Sequence, residues 1–318
     1  MENRFFFFLV IFWLSACEKA ELPKPASFVT TESNSVNMGS DYATQLFFSL
    51  DENKVVSQNL RESWDLGFDS SGNIFLNSSK NMSVSATGST DLSAVGTSTL
   101  TSWMYDQPEG YTDSLAFSSW EAGKVYIVDR GVTTTGAQIG KIKLLINQFA
   151  NNTWSIDWAT LSSQEVHHIE FAADDTKDFT AFSFSAVPGT VVNIDPGKDS
   201  WDLLFSTYTH MYNDGMPYLV NGILLNSNGV TACQIEGTTF DAVTYDDISS
   251  MSFSTMRDVI GFDWKTYNFD TGLYQIDLNR VYVVKSVSNR YYKLRLLDFY
   301  NQSGQKGNPT FEIKELIP

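Results

Sequence analysis

Ser63-Trp64-Asp65-Leu66-Gly67-Phe68 and Ser200-Trp201-Asp202-Leu203-Leu204-Phe205 are one phrase written twice. They close two stretches, Asp41 to Phe68 and Asp178 to Phe205, that align without a gap at an offset of 137 (178 minus 41, 201 minus 64). The same offset lays Phe47 on Phe184 and Val55 on Val192, so the chain reads as a duplication. Further matches extend it. Val125-Tyr126-Ile127-Val128 aligns with Val281-Tyr282-Val283-Val284, Lys141 to Leu145 with Lys293 to Leu297, and Asn152 to Ile156 with Pro309 to Ile313. The units run from about Asp41 to Leu161 and from about Asp178 to Leu316.

Most matched segments alternate apolar and polar residues, as in Lys141-Ile142-Lys143-Leu144 and Trp154-Ser155-Ile156-Asp157. Period two places alternate side chains on opposite faces of a strand. The segments are short, rich in β-branched and aromatic residues, and separated by turn clusters such as Asp195-Pro196-Gly197-Lys198-Asp199. This predicts an all-β chain, an antiparallel sandwich or barrel-like body built from the duplication over residues 40–318, with few or no helices. Only Asp247 to Met256 reads as a helix candidate. Trp64/Leu66/Phe68 and Trp201/Leu203/Phe205 read as core anchors on one strand face. The Asp of each Trp-Asp pair then points away, into a turn cap or solvent.

The amino-terminal residues read as a lipoprotein leader. Arg4 precedes an apolar block, Phe5 to Leu14, and then Leu14-Ser15-Ala16-Cys17 forms a lipobox. The block is far shorter than the roughly 18 to 20 residues a membrane-spanning helix requires. The expectation is a signal peptide over 1–16, lipid (palmitate included) on Cys17, and a polar tether over 17–39 carrying Pro23 and Pro25. That places the body at the outer membrane, anchored through the lipid on Cys17 and facing the cell surface. With Cys17 acylated, Cys233 has no disulfide partner; it aligns opposite Val84 and reads as a small buried hydrophobe.

The net charge of −16, with no Lys/Arg run, excludes a nucleic-acid partner, which needs clustered cations to release counterions. A nucleophile elbow, a zinc helix, a phosphate-cradling glycine loop and a dinucleotide fingerprint are all absent, so no catalytic residues are assigned and the chain reads as a non-enzyme. Asp174-Asp175 with Asp178, Asp195 with Asp199, and Asp246-Asp247 lack the spacing of a calcium loop and read as solvated turns.

The copies part after the shared phrase. Alignment resumes at Leu76-Asn77-Ser78 against Leu225-Asn226-Ser227, an offset of 149, so copy two has gained twelve residues (149 minus 137). They lie within Ser206 to Leu224. A continuing strand puts Tyr208, His210 and Tyr212 on one face and Thr207, Thr209 and Met211 on the other, with Met216 and Tyr218 just beyond. Rings offer flat apolar area, and imidazole or thioether can ligate a metal. The alternative is an aromatic-rich hairpin that only covers a sheet.

Behind its lipobox, the phrase leading into Tyr208-Thr209-His210 and then Pro217-Tyr218-Leu219-Val220-Asn221-Gly222 resembles the HmuY-like lipoproteins. That resemblance implies an all-β surface protein, a lipid anchor, and haem held between two axial side chains, His or Met. The candidate ligand-binding residues are Tyr208, His210, Met211, Tyr212, Met216 and Tyr218; the resemblance itself reaches His210 and Met211, one of which would be an axial ligand. The second axial ligand would come from Met216, Met104 or His167, and no other metal is assigned. An outer-membrane transporter is the expected partner. The rival reading is a glycan- or protein-binding or structural lipoprotein that keeps the fold without haem.

Overall fold

The computed structural model describes residues 33–318, so Cys17, the signal segment and the tether up to residue 32 lie outside the described residues. The first strands are β1 (Asn34–Ser35), β2 (Thr44–Ser49), β3 (Lys54–Leu60), β4 (Leu66–Phe68), β5 (Ile74–Leu76), β6 (Ser83–Ala86) and β7 (Lys124–Asp129). Next come β8 (Lys141–Ala150), β9 (Thr153–Thr160), β10 (His167–Ala172), β11 (Thr180–Ser183), β12 (Thr190–Val192), β13 (Leu203–Met211) and β14 (Pro217–Leu225). The last are β15 (Thr231–Ile235), β16 (Lys265–Asn268), β17 (Leu273–Ile276), β18 (Val281–Lys285), β19 (Tyr291–Tyr300) and β20 (Lys306–Leu316). The Asp247 to Met256 helix does not form: a short 3-10 turn, Tyr245–Ser250, stands there, capped by reciprocal bonds between Thr244 and Asp247.

The strands make two sandwiches. One pairs the sheet β10-β9-β8-β7-β6 with β12-β11-β4-β5; the other pairs β1-β20-β19-β18-β15 with β14-β13-β2-β3. Every pairing in these sheets is antiparallel, and all four remain open rather than closing into a barrel. Leu66, Phe68, Leu144, Trp154, Ile156 and Phe182 fill the first core; Phe48, Leu203, Phe205, Ile223, Leu294 and Phe311 fill the second. Each such side chain is worth about 1.5–3 kcal/mol when fully buried, which is why the alternating pattern fixes the faces.

A repeat is not a sandwich. Strands β4 to β12 form the first sandwich as one continuous insertion, while β1–β3, β13–β15 and β18–β20 form the second, outer one, with β16 and β17 paired beside it as a separate two-stranded sheet. The opening hairpin of each copy has crossed to the other. Phe48 of β2 pairs with Leu203, and Phe182 of β11 pairs with Leu66.

The Trp-Asp phrase locks this exchange. Asp65 donates its amide to the Phe182 carbonyl at 2.8 Å, and its carboxylate accepts from the amide of Phe184 at 2.7 Å. Asp202 does the same with the Phe48 carbonyl (2.9 Å) and the amide of Leu50 (2.7 Å). Both aspartates are fully buried, which corrects the expectation that they cap turns or stay solvated. Burial alone would raise the Asp65 pKa, but Lys80 and Arg130 hold it below the ordinary range. The asparagine after each hairpin completes the match: Asn77 Nδ2 donates to the carbonyls of Arg61 and Trp64, and Asn226 Nδ2 to those of Lys198 and Trp201.

These bonds also correct the alignment. Phe182 stands where Phe48 does and Phe184 where Leu50 does, an offset of 134 (182 minus 48, 184 minus 50). Phe47 instead faces outward, against Trp201, so setting it on Phe184 mixes two faces of the sheet. Cys233 aligns with Ser85, not Val84, because the ladders pair Cys233 with Val283 and Ser85 with Ile127. It is nonetheless buried, and burial raises its thiol pKa.

Two further expectations shift. Trp64 and Trp201 are buried, but outside the sandwich cores that hold Leu66, Phe68, Leu203 and Phe205. The chain has left the strand before Leu66, and the indoles turn to the opposite sheet face. The end of the tether stretch belongs to the fold: Asn34–Ser35 pairs with β20, and Val36 and Met38 enter the outer core.

The outer faces of β2, β13 and β14 and of β4, β5 and β11 form the seam between sandwiches. Trp64 Nε1 donates across it to Gln45 Oε1 at 2.9 Å. A cavity of about 70 Å³ is lined by Trp64, Phe75 and Phe179 from one sandwich and Leu204, Tyr208 and Leu224 from the other. Arg257 of the outer sandwich reaches the acidic edge of the inserted one, where it faces Asp106, Asp178 and Asp195. Asp195 is buried, with its carboxylate on the amides of Asp178 and Gly197, so the solvated-turn reading fails there.

Candidate functional site

The twelve added residues lengthen a hairpin. Where copy one has the three-residue strands β4 and β5, copy two has the nine-residue strands β13 and β14, registered from Leu203↔Leu225 to Met211↔Pro217. A tight turn closes the tip. Tyr212 N donates to Met216 O at 3.1 Å and Gly215 N to Tyr212 O at 2.8 Å, with Gly215 at a φ of +81° that favours glycine.

Cross-strand partners share a face, so Tyr208, His210 and Tyr212 lie with Val220, Tyr218 and Met216. The face grades from buried to open. Tyr208 is 1% exposed, while Tyr212, Tyr218 and Met216 are 45%, 52% and 62% exposed. His210 sits between: its ring centroid is 4.9 Å from Phe262 and 5.0 Å from Tyr212, and Tyr212 and Tyr218 are 6.0 Å apart. Thr207, Thr209 and Met211 take the opposite face. Thr207 and Thr209 hydroxyls donate to the carbonyls of Ser79 (3.0 Å) and Ser78 (2.8 Å), seating the hairpin on the inserted sandwich.

Two polar atoms on the graded face are buried without a hydrogen-bond partner among the described residues: His210 Nδ1 and the Tyr208 hydroxyl. Burial first, then the nearby Asp258 and Asp263 carboxylates, push the Tyr208 hydroxyl well above its ordinary pKa. The Asp258 carboxyl is itself raised, by burial and by Glu109, with His210 opposing.

Phe262 and Asp258 come from a strap that the sequence reading missed. Ile223 and Gly261 exchange backbone bonds (2.9 and 3.1 Å), which lays residues 257–262 along the edge of β14. A Cβ on Gly222 would overlap the Gly261 carbonyl, so only glycine permits this approach. Gly222 inside a strand pattern was the available signal.

The other candidate ligands lie in the inserted sandwich. Met104 forms an isolated bridge with Val84 and is 41% exposed, and His167 packs on Trp158 at 4.9 Å. Neither is a ring neighbour of His210. His167, Ile169 and Phe171 face the sheet while His168 and Glu170 are exposed, as the alternation predicts. No group of three or more His, Cys, Asp or Glu side chains gathers as a metal site among the described residues. The donor set does fit one haem iron on chemistry: an imidazole with an unpaired nitrogen and a thioether, Met216, share the aromatic face. Met211 does not share it.

The fold and this face define an all-β module of the ligand-binding type. The HmuY protein family model matches residues 41–313, and the chain belongs to that family, one of binding proteins. Among solved structures it is similar to apo PinO from Porphyromonas gingivitis, at 12% identity, TM-score 0.20, over 55% of this chain and 97% of that one. It is also similar to the apo HmuY analogue of Tannerella forsythia, at 10% identity, TM-score 0.27, over 93% of this chain and 100% of that one. No curated protein matches.

Proposed function

We propose that the chain is a non-enzymatic ligand-binding lipoprotein, held at the outer membrane through Cys17, that captures haem at the cell surface on the open face of the β13–β14 hairpin. The observation that carries this is His210, a half-buried imidazole with Nδ1 unpaired, set between the rings of Phe262 and Tyr212. His210 and Met216 would hold the iron through imidazole and thioether, and Tyr212 and Tyr218 would offer ring area beside them. Haem supplies an iron that accepts imidazole or thioether, and ligand identity sets its potential. The protein's part is to hold the imidazole and exclude water from its buried side. A transporter of the same membrane is the partner that would receive the ligand.

Titration of the protein with haemin should sharpen the Soret band, and His210→Ala should blunt that response more than Met211→Ala. An unchanged spectrum at micromolar protein would overturn the reading.

A further inference from the structure

The two sandwiches part at a second place, the far end of the β7–β8 and β18–β19 pairs. The ladders make Lys141 the counterpart of Tyr291 and Thr160 that of Glu315, since Asp129↔Lys141 matches Lys285↔Tyr291 and Ile142↔Thr160 matches Tyr292↔Glu315. The isolated bridges Val84↔Met104 and Ala232↔Ser254 likewise make Trp103 the counterpart of Phe253.

In the outer sandwich this end is filled. Tyr291 packs on Phe253 at 5.6 Å and Tyr245 at 6.2 Å, and Arg290 Nε donates to Glu315 at 2.7 Å. In the inserted sandwich the same positions are open. The β7–β8 connection lengthens to residues 130–140, against 286–290 in the other copy. A groove of about 770 Å³ runs there between Thr97, Asp129, Gln138, Lys141, Thr160 and Ser162. Lys141 Nζ lies 3.5 Å from Asp129 and 4.7 Å from the Trp103 ring centre, so an aromatic pair has become a cation over an indole.

The lengthened connection is fixed, not loose. Thr134 N donates to Glu62 Oε1 at 2.6 Å, Val132 N to Lys80 O at 2.9 Å, and Arg61 Nη2 to Thr133 O at 2.9 Å. The groove wall is therefore held in place before any ligand arrives.

The geometry points to this groove as a saccharide-binding site, separate from the hairpin face. Exposed hydroxyl and amide groups from three chain segments, Thr97, Gln138 and Thr160 with Ser162, suit a hydroxyl-rich ligand, and the Asp129 and Lys141 pair offers one acceptor and one donor to adjacent hydroxyls. The cavity size fits a short oligosaccharide better than a monosaccharide. The site does not rest on the haem reading, and the two fail separately.

The test uses the full chain on an array of neutral and uronate-bearing oligosaccharides, followed by calorimetric titration of the best-bound member. Binding is expected, weakened at least tenfold by Lys141→Tyr with Thr160→Glu, which installs the residues of the closed copy. Gln138→Ala and Ser162→Ala, both at exposed positions that leave the fold untouched, should each weaken it severalfold, and His210→Ala should leave it unchanged. An empty array would overturn the proposal. So would binding that survives the double substitution, or binding lost with His210→Ala.

Discussion

The carboxylate of Asp202 accepts the amide proton of Leu50, 152 residues earlier, at 2.7 Å, and that of Val287 at 2.9 Å. Asp65 holds Phe184 in the same way and adds the buried Lys80 and the partly buried Arg130 as counter-ions. Removing a buried acceptor strands its donors, at about 1–3 kcal/mol each, and an uncompensated buried cation costs more. Asp202→Ala should therefore cost about 3 kcal/mol in denaturant unfolding, and Asp65→Ala about 3–5 kcal/mol. Losses under about 1 kcal/mol would mean that apolar packing alone holds the exchanged hairpins.

The exchange also predicts which fragments fold. Residues 61–200 contain both sheets of the inserted sandwich, whereas residues 41–161, the sequence repeat, lack β10, β11 and β12 and carry a hairpin that belongs elsewhere. A 61–200 fragment should give a cooperative thermal transition and dispersed amide resonances. The 41–161 fragment should give neither; equal behaviour of the two would contradict the exchange.

The sequence made the all-β class legible because each copy confirms the other's period-two pattern, and the twelve added residues marked the hairpin with its faces correctly sorted. It could not show the exchange, since alternation says which face a residue takes and nothing about which sheet its strand joins. The gapless alignment concealed a three-residue slip, because Phe47 and Phe184 are both aromatic though one faces outward and the other inward. The strap escaped for a related reason: residues 257–262 bind β14 through backbone bonds at Ile223 and Gly261, which side-chain patterns do not encode. The groove stayed hidden because it appears only once Lys141 is set on Tyr291 rather than on Lys293.

Acidification should tighten the seam. Burial pushes Asp106 up to about 7, and burial with the neighbouring Asp195 pushes Asp178 up to about 7, from an ordinary 3.8. A carboxyl whose folded pKa is raised contributes stability that is fully present below its unfolded pKa and is lost as pH rises through about 7. Lys265, lowered to about 7 by burial, opposes this, because its ammonium must be buried as pH falls. The clean comparison is between the parent and Asp178→Asn. The parent should gain about 1 kcal/mol more than the variant between pH 8 and pH 6, followed by thermal unfolding at each pH. Parallel pH profiles for the two proteins would remove Asp178 as a titrating group at the seam.

Gly222→Ala tests whether the strap positions the ligand face. The new methyl group would overlap the Gly261 carbonyl, and the strap can relieve that only by breaking its bonds to Ile223 and carrying Phe262 away from His210 and Tyr208. Two backbone hydrogen bonds and the packing of Phe262 are at stake, so a stability loss of about 2 kcal/mol is expected. The diagnostic part is the contrast with the hairpin tip. Tyr212→Ala and Tyr218→Ala remove exposed rings, and each should change stability by under about 0.5 kcal/mol. All three substitutions should weaken haemin binding, Gly222→Ala by loosening the support of His210 and the tyrosine changes by removing stacking area. If Gly222→Ala lowers stability while haemin affinity stays at the parental value, Phe262 does not position His210 and the strap is only an edge cover for β14.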